Sequence, residues 1–184
     1  MVFVSGAAGA VGSIAGQIAK LRGHTVIGSA GSAEKLAWLT DELGFDTVFD
    51  YHDGPAAKLL AKAAPDGFDV YFDNVGGEQP EAAIFHIRTH GRIALCGGIS
   101  GYNGEGYGIR NMMLTVGKRV TLRGFIISDH FDRQPAFVDE VGGYLRDGKL
   151  QFRETIVEGG VDAAPQAFID LLRGANTGKM LVKF

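Results

Sequence analysis

Residues 2–13 read VFVSGAAGAVGS, and this stretch joins an apolar run typical of a β-strand to closely spaced glycines and then to an amphipathic helix. Gly9 and Gly12 lack a Cβ, so the chain can turn tightly there and the helix can pack close to the strand. The first N–H groups of the helix and its dipole then favour an anion above the turn. The stretch therefore predicts a site for the phosphates of a dinucleotide.

The glycine spacing departs from the common G-x-G-x-x-G pattern, because Ala7 stands where the first glycine would be and Gly6 lies one residue earlier. The surrounding sequence nevertheless supports the interpretation. Apolar residues recur at helical spacing from Val11 to Leu21, Gly23 follows as a helix end, and residues 25–28, TVIG, indicate the next strand. A strand, a turn and a crossover helix leading to a second strand form the βαβ unit that such a phosphate site requires.

The composition indicates a globular protein and gives no sign of nucleic-acid binding. The chain has 184 residues, of which 46% are hydrophobic and 21% charged, and its net charge is −3. This charge gives no basic field for nucleic acid, and no apolar run reaches the about 18 residues of a transmembrane helix. Cys96 is the only cysteine, which excludes an intramolecular disulfide and a multi-cysteine zinc site. We expect a cytoplasmic protein without a metal site.

Strand and helix patterns alternate along the first 150 residues. After the opening unit, the sequence predicts strands at residues 47–50, 68–73, 92–96 and 120–127, with helical patterns between them and a further helix that ends at Gly148. Such alternation is typical of a parallel sheet covered by helices on both faces. We therefore predict an α/β fold of the Rossmann type, with a doubly wound six-stranded parallel sheet over residues 1–150. Residues 151–184 form a short C-terminal appendage that breaks the alternation.

The end of the second predicted strand carries no carboxylate. A site that prefers NAD usually has Asp or Glu there, roughly 20 residues beyond the glycines, to bind the ribose 2′-hydroxyl. Here residues 28–32 read GSAGS. Ser29, Gly31 and Ser32 offer hydroxyl and backbone donors for a 2′-phosphate, and Lys35 adds a positive charge one turn further on. NADP(H) is therefore the predicted cofactor, with the alternative that Lys35 is a solvated surface lysine.

Several longer stretches carry a family resemblance. In chain order they are AAGAVGS at 7–13, GQIAK at 16–20, GSAEK at 31–35, LGFD at 43–46, PDGFD at 65–69, FDNVGG at 72–77, GRIA at 91–94 with CG at 96–97, ISGYN at 99–103 and GK at 178–179. Over essentially its whole length the sequence resembles the medium-chain dehydrogenases/reductases. Within them it resembles the zinc-independent NADPH-dependent alkenal/one reductases and prostaglandin reductases (leukotriene B4 12-hydroxydehydrogenase type). The resemblance implies an oxidoreductase that reduces the C=C bond of α,β-unsaturated ketones or aldehydes.

The resemblance also implies which residues hold the cofactor. Together with Ser32, the predicted cofactor-binding residues are Gly9, Ala10, Val11, Gly12, Lys35, Tyr51, Asn74, Cys96, Gly97, Gly98, Ile99, Ser100, Tyr102, Phe125, Ile126, Ile127 and Asn176. Asn74 follows a predicted strand, where ligands of open α/β sheets bind, although NVGG at 74–77 also fits a tight turn. Cys96 reads as a small strand residue, because nothing nearby in the sequence would activate it as a nucleophile.

Tyr102 is the candidate catalytic residue. The resemblance implies a tyrosine hydroxyl near the nicotinamide ribose and the substrate carbonyl, where it can stabilise an enolate oxygen or help supply its proton. The alternative is an aromatic loop residue that packs over the cofactor without a chemical role. A short-chain dehydrogenase is disfavoured, because no tyrosine of this chain is followed four residues later by lysine.

The family builds its substrate-binding GroES-like barrel from the N-terminal part of the chain. The resemblance implies that this part is absent here and that residues 151–184 would return to it. We therefore expect the isolated chain to bind NADPH but to reduce no enone, and we expect its exposed apolar surface to pair in a homodimer. Two alternatives stay open: a quinone oxidoreductase domain, and a non-catalytic NADP(H)-binding sensor module.

Overall fold

The computed structural model describes residues 1–104 and 106–184. Its strands and helices follow in the order β1 (Val2–Val4), α1 (Ala10–Leu21), β2 (Val26–Ala30), α2 (Ala33–Ala37), β3 (Thr47–Asp50), α3 (Ala56–Ala63), β4 (Phe68–Asp73), α4 (Glu78–His86), β5 (Ile87–Leu95), α5 (Leu114–Lys118), β6 (Thr121–Gly124), α6 (Gln134–Arg146), β7 (Glu154–Glu158), α7 (Gly160–Leu172) and β8 (Lys179–Lys183). A π-helical turn covers Trp38–Glu42, and 3₁₀ helices cover Ile99–Gly101 and Ile127–Arg133.

The main sheet has six parallel strands in the order β3-β2-β1-β4-β5-β6, and β7 and β8 form a separate parallel pair. The strand order reverses between β1 and β4, so the chain leaves these two neighbouring strands in opposite directions across the sheet. Loops diverge at such a switch point and leave a crevice at the carboxyl ends of the strands. The predicted α/β fold with six parallel strands is confirmed.

The sheet packs against helices on both faces. On one face, Phe3 of β1 lies in a buried cluster with residues of α3 and α4, and its ring stacks on Tyr71 with ring centroids 4.7 Å apart. On the other face, Val4 lies in a second cluster with Trp38, Leu39 and residues of the glycine turn. Neighbouring residues of one strand thus serve opposite faces, as the pleat of a strand requires.

The Phe45 ring packs between α1 and β2. A Cβ at Gly16 would stand 2.0 Å from Cζ of Phe45, and one at Gly28 would stand 2.8 Å from the same ring. The Phe45 ring therefore fills the space between helix and strand that side chains at both glycines would need. This contact fixes the height of α1 above the sheet, and with it the position of the glycine turn.

The largest differences from the predicted strand boundaries are at the start of β5 and the end of β6. β5 begins at Ile87, which pairs with Phe68. The next three residues are exposed, so the start of this strand does not appear as an apolar run in the sequence. β6 ends at Gly124, opposite Leu95 at the end of β5. The apolar residues that follow it have no strand beside them to pair with.

The C-terminal segment, residues 151–184, is attached to the glycine turn and to α1. The amide of Gly178 donates to the Ala8 carbonyl oxygen at 2.8 Å, and Gly9 and Gly178 form an isolated parallel bridge. The side chain of Gln17, which is only 4% exposed, pairs with both backbone groups of Gln151. In the described ranges we find no helix with the length and apolar character needed to span a membrane.

Candidate functional site

A cleft of about 460 Å³ opens at the carboxyl edge of the sheet, around the switch point between β1 and β4. It is bounded by the glycine turn, by the end of β2, by the turns after β4 and β5, and by the C-terminal end of α7. Of the predicted site residues, Gly9, Ala10, Val11, Gly12, Lys35, Tyr51, Asn74, Cys96, Gly97, Ile99, Tyr102 and Asn176 line this cleft. Most of the residues singled out from the sequence thus come together in one place.

The glycine turn forms the floor of the cleft. Gly6 has φ +57°, and its carbonyl oxygen accepts a hydrogen bond from the Gly9 amide at 3.0 Å. A Cβ at Gly12 would lie 2.4 Å from the Gly6 oxygen, so α1 can begin this close to β1 only with glycine there. Gly9 caps α1, and the amides of the first turn of a helix have no acceptor within it. The floor therefore presents N–H groups and the positive end of a helix dipole.

A buried carboxylate organises the turns after β1 and β4. Oδ1 of Asp73, which is 1% exposed, accepts hydrogen bonds from the Ser5 hydroxyl at 3.0 Å, the Tyr71 hydroxyl at 2.7 Å, and the amides of Val75 and Gly76 at 2.9 Å each. Burial, followed by the Asp73 charge, raises the pKa of Tyr71 well above its usual range, so this hydroxyl stays a donor. The network fixes the two turns in position relative to each other.

Asn74 takes its orientation from the same network. Its backbone N–H donates to the Ser5 hydroxyl at 3.0 Å, and its side-chain Nδ2 donates to the Ser5 carbonyl oxygen at 2.7 Å. One Nδ2 hydrogen is thereby committed, and the side-chain oxygen is left as an acceptor beside the cleft. The sequence indicates Asn74 but gives no sign of the roles of Ser5 and Asp73, because the hydrogen bonds that link Ser5 to Asp73 and Asn74 join residues 68 or 69 positions apart.

The predicted 2′-phosphate residues lie at one end of the cleft. Burial lowers the pKa of the Lys35 ammonium, against the effect of the Glu34 carboxylate, and Nζ donates to the Gly174 carbonyl oxygen. Burial, with a smaller effect of Asp50, raises the pKa of Tyr51. A Cβ at Gly31 would lie 2.7 Å from the Tyr51 hydroxyl oxygen, so the absent side chain lets that hydroxyl approach the end of β2.

Ser32 is placed differently from the residues around it. It caps α2, and its hydroxyl oxygen accepts a hydrogen bond from the Lys35 amide at 3.3 Å. Ser32 is not among the described residues that line the cleft. Its hydroxyl therefore orients α2, and through α2 it orients Lys35.

Residues of the loop after β5 line two different hollows. Gly98 and Ser100 line a second hollow of about 400 Å³ together with Gly76 and Gly77, and the Ser100 hydroxyl donates to the Val75 carbonyl oxygen at 2.7 Å. Cys96 and Tyr102 face the main cleft. Burial, and then the Asp73 charge, raises the pKa of the Cys96 thiol, whereas the Tyr102 side chain is 66% exposed.

The residues after β6 do not join the others. Phe125 packs near Phe72 with ring centroids 6.2 Å apart, and Ile126 and Ile127 are 65% and 67% exposed. None of the three lines the described cleft. Asn176 does line it, and its Nδ2 donates to the Gly178 carbonyl oxygen at 2.7 Å.

The C-terminal segment contributes two cations that the sequence analysis did not identify as site residues. Arg173 at the end of α7 and Lys179 at the start of β8 line the cleft with Lys35, and no Asp or Glu stands among its described lining residues. The cleft is therefore positive, although the chain carries a net charge of −3. No cluster of three or more His, Cys, Asp or Glu side chains suited to a metal was found in residues 1–104 and 106–184.

The sheet order, the glycine turn and the crevice at the switch point define a Rossmann-type α/β domain. The family model for zinc-binding dehydrogenases matches residues 10–141, and the chain belongs to this family. Prostaglandin reductase 1 of Bos taurus is 45% identical over 193 residues, covering 99% of this chain and 56% of that protein. The NADP(+)-dependent 2-alkenal reductase of Nicotiana tabacum is 40% identical over 183 residues, covering 98% of this chain and 53% of that protein.

A solved structure agrees with these relatives. The crystal structure of CurA from Vibrio vulnificus in complex with NADPH has a TM-score of 0.90 and 41% identity, covering 99% of this chain and 56% of that one. The chain thus spans about half the length of the relatives it matches. The predicted resemblance to medium-chain dehydrogenases/reductases of the NADP-dependent alkenal and prostaglandin reductase type is confirmed.

Proposed function

We propose that this chain is the NADP(H)-binding part of an oxidoreductase that reduces the C=C bond of α,β-unsaturated ketones or aldehydes. The observation that carries the proposal is the cleft itself, which has a glycine turn as its floor, three cationic side chains on its walls and no carboxylate among its described lining residues. Such a site suits a dinucleotide with an extra phosphate. Relatives named as NADP-dependent reductases support the same function.

The preference for NADP(H) over NAD(H) rests on the end of β2. Residues 28–32, GSAGS, place no acid there. Lys35 and Tyr51 line the same cleft as Gly31, and the Tyr51 hydroxyl lies against Gly31. A lysine ammonium has three donors, so after its bond to the Gly174 carbonyl it keeps two for a phosphate. We assign Lys35 and Tyr51 to the 2′-phosphate.

The reaction needs little chemistry from the protein itself. When bound, NADPH supplies the hydride, which in this class of reaction goes to the β-carbon of the enone. The free amides of the Gly9–Gly12 turn would hold the pyrophosphate, and the fixed Asn74 side chain would accept a hydrogen bond from a ribose or carboxamide group. We assign Tyr102, exposed at the cleft mouth, to the oxygen of the developing enolate, as donor or proton relay.

Isothermal titration calorimetry with NADPH and NADH tests the cofactor assignment. We expect the chain to bind NADPH more tightly than NADH, and Lys35→Ala to weaken NADPH binding by about 1–3 kcal/mol, the range of a charge-assisted hydrogen bond. NADH binding should stay nearly unchanged. Lys58→Ala, at an exposed lysine of α3, is the matched control and should bind both nucleotides as the original chain does. Equal affinity of the original chain for the two nucleotides would overturn the assignment.

The substrate class is tested with full-length protein. NADPH oxidation is followed with 2-alkenals, cyclic enones and quinones in parallel, because a quinone oxidoreductase was the nearest alternative. We expect turnover of the alkenals and enones, and negligible turnover by the 184-residue chain alone, since nothing then closes over the nicotinamide to exclude water. NADPH binding without reduction by the full-length protein would favour a sensor module.

We also propose that residues 1–150 form the nucleotide domain and residues 151–184 a segment that serves a second domain. The separate β7–β8 pair, outside the six-stranded sheet, supports this boundary. A homodimer and a cytoplasmic location belong to the same proposal, supported by exposed apolar side chains such as Ile127 and by the single cysteine. Light scattering of the purified chain gives its oligomeric state directly.

A further inference from the structure

The strongest feature that the proposed function leaves unexplained is Arg173. It is the C-terminal capping residue of α7, it is exposed, and it lines the cleft beside Gly174, whose carbonyl oxygen accepts the hydrogen bond from Lys35. Among the described residues, the Arg173 guanidinium has no carboxylate within salt-bridge distance and makes no side-chain hydrogen bond. A cation is thus present at the same end of the cleft as Lys35, without a partner in the described chain.

The negative end of a helix makes this placement significant. Leu171, Leu172 and Arg173 bring the last turn of α7 to the cleft wall, and the carbonyl groups at the end of a helix carry a negative potential. That potential would disfavour a phosphate beside it. Lys35 satisfies one carbonyl of this region, and the guanidinium of Arg173 adds a second positive charge with several donors in a planar fork, the geometry that suits phosphate.

We propose that Arg173 is the second cation of the 2′-phosphate site, so that this phosphate is held between α2 of the nucleotide domain and α7 of the C-terminal segment. The inference rests on the proposed function and deepens it. Arg173 is a specificity-determining residue, because NADH lacks the 2′-phosphate that would bind there.

The position of Arg173 depends on how the C-terminal segment is docked. Gly178 bridges Gly9, and Gln17 binds Gln151, so the chain on either side of α7 is fixed to the glycine turn and to α1. A phosphate that contacts both Lys35 and Arg173 would therefore add a further link between residues 1–150 and 151–184. NADPH, but not NADH, should tighten this docking.

The test uses the 184-residue chain with NADPH, NADH and 2′,5′-ADP as probes. Arg173→Gln should weaken the binding of NADPH and of 2′,5′-ADP by about tenfold or more, the loss expected for one charge-assisted contact, and leave NADH within about twofold. Arg173→Lys keeps the charge and should recover part of the affinity. Arg146→Gln, at an exposed arginine that ends α6, is the matched control and should change none of the three.

Hydrogen exchange supplies a second measurement. NADPH should protect the amides of residues 169–178 more than NADH does, and Arg173→Gln should remove that difference. If NADPH is preferred and Lys35→Ala abolishes the preference while Arg173→Gln and the exchange pattern change nothing, the role of Arg173 is refuted and the proposed function stands. If the original chain shows no preference for NADPH, both fail.

Discussion

Replacing Gln17 with alanine is the sharpest test of how the C-terminal segment is held. The side chain of Gln17 lies between α1 and the start of that segment, 4% exposed. Its Nε2 donates to the Gln151 carbonyl oxygen at 2.9 Å, and its Oε1 accepts from the Gln151 amide at 2.8 Å. Nε2 also donates to the Ser13 carbonyl at 3.0 Å, within the same helix. Gln17 thus bonds both backbone groups of one residue of the segment.

The expected cost follows from the two hydrogen bonds to Gln151. Each contributes about 0.5–1.5 kcal/mol net, and their loss leaves the backbone N–H and C=O of Gln151 without these partners. Alanine returns a few tenths of a kcal/mol in helix propensity. We therefore expect Gln17→Ala to lower the free energy of unfolding by about 1–3 kcal/mol, which corresponds to roughly 3–10 °C in Tm for a chain of this size.

Urea denaturation and hydrogen exchange measure the effect globally and locally. Gln166→Ala is the control, because Gln166 lies on the exposed surface of α7 and bonds only Asp170 one turn away, so it should change stability by less than about 0.5 kcal/mol. The Gln151 amide should lose exchange protection in Gln17→Ala, while the amides of β1 keep theirs. A stability loss no larger than that of Gln166→Ala, with the Gln151 amide still protected, would refute this account of the docking.

Three further predictions concern other positions. Gly16→Ala should destabilise the chain by about 1–3 kcal/mol, because its Cβ would overlap the Phe45 ring. Gly142→Ala in α6 is the control, because the nearest atom to its Cβ would be the flexible tip of Arg146 at 3.4 Å; it should be neutral or stabilise the chain by up to about 1 kcal/mol. Urea denaturation compares the two variants, and equal losses of stability would contradict the packing argument. Burial, and then the Asp73 charge, raises the pKa of the Cys96 thiol, so less of the reactive thiolate is present at neutral pH. Maleimide labelling should therefore be slow at pH 7, accelerate as the pH rises, and slow further when NADPH fills the cleft; fast labelling at pH 7 would show that the thiol is not shielded. In full-length protein, Tyr102→Phe should lower kcat by roughly tenfold to a thousandfold if the hydroxyl assists the enolate, whereas an unchanged kcat would reduce Tyr102 to a packing residue.

Local patterns in the sequence were sufficient for the order of strands and helices, for the glycine turn and for the missing acid after β2. Each of these follows from residues close together in the chain, because the two-residue period of a strand, the 3.6-residue period of a helix and the missing Cβ of a glycine are all visible within a few positions. The cap that Ser32 gives to α2 is also a local contact, since its hydroxyl acts three residues along the chain. The end of β6 did not follow from its own residues, because a strand pairs only as far as its neighbour, here β5, extends.

Which residues line the cleft was decided by the tertiary structure. Lys35 and Gly174 are 139 residues apart, and no local pattern shows that the end of α7 meets α2, or that Arg173 and Lys179 make the cleft positive. The Asp73 network likewise joins the end of β4 to Ser5, which follows β1, and these residues are neighbours only because β1 and β4 pair in the sheet. Sequence periodicity fixes which face of an element is buried, but the partner across that face depends on the packing of the whole chain, and the charge of this site arises from that packing.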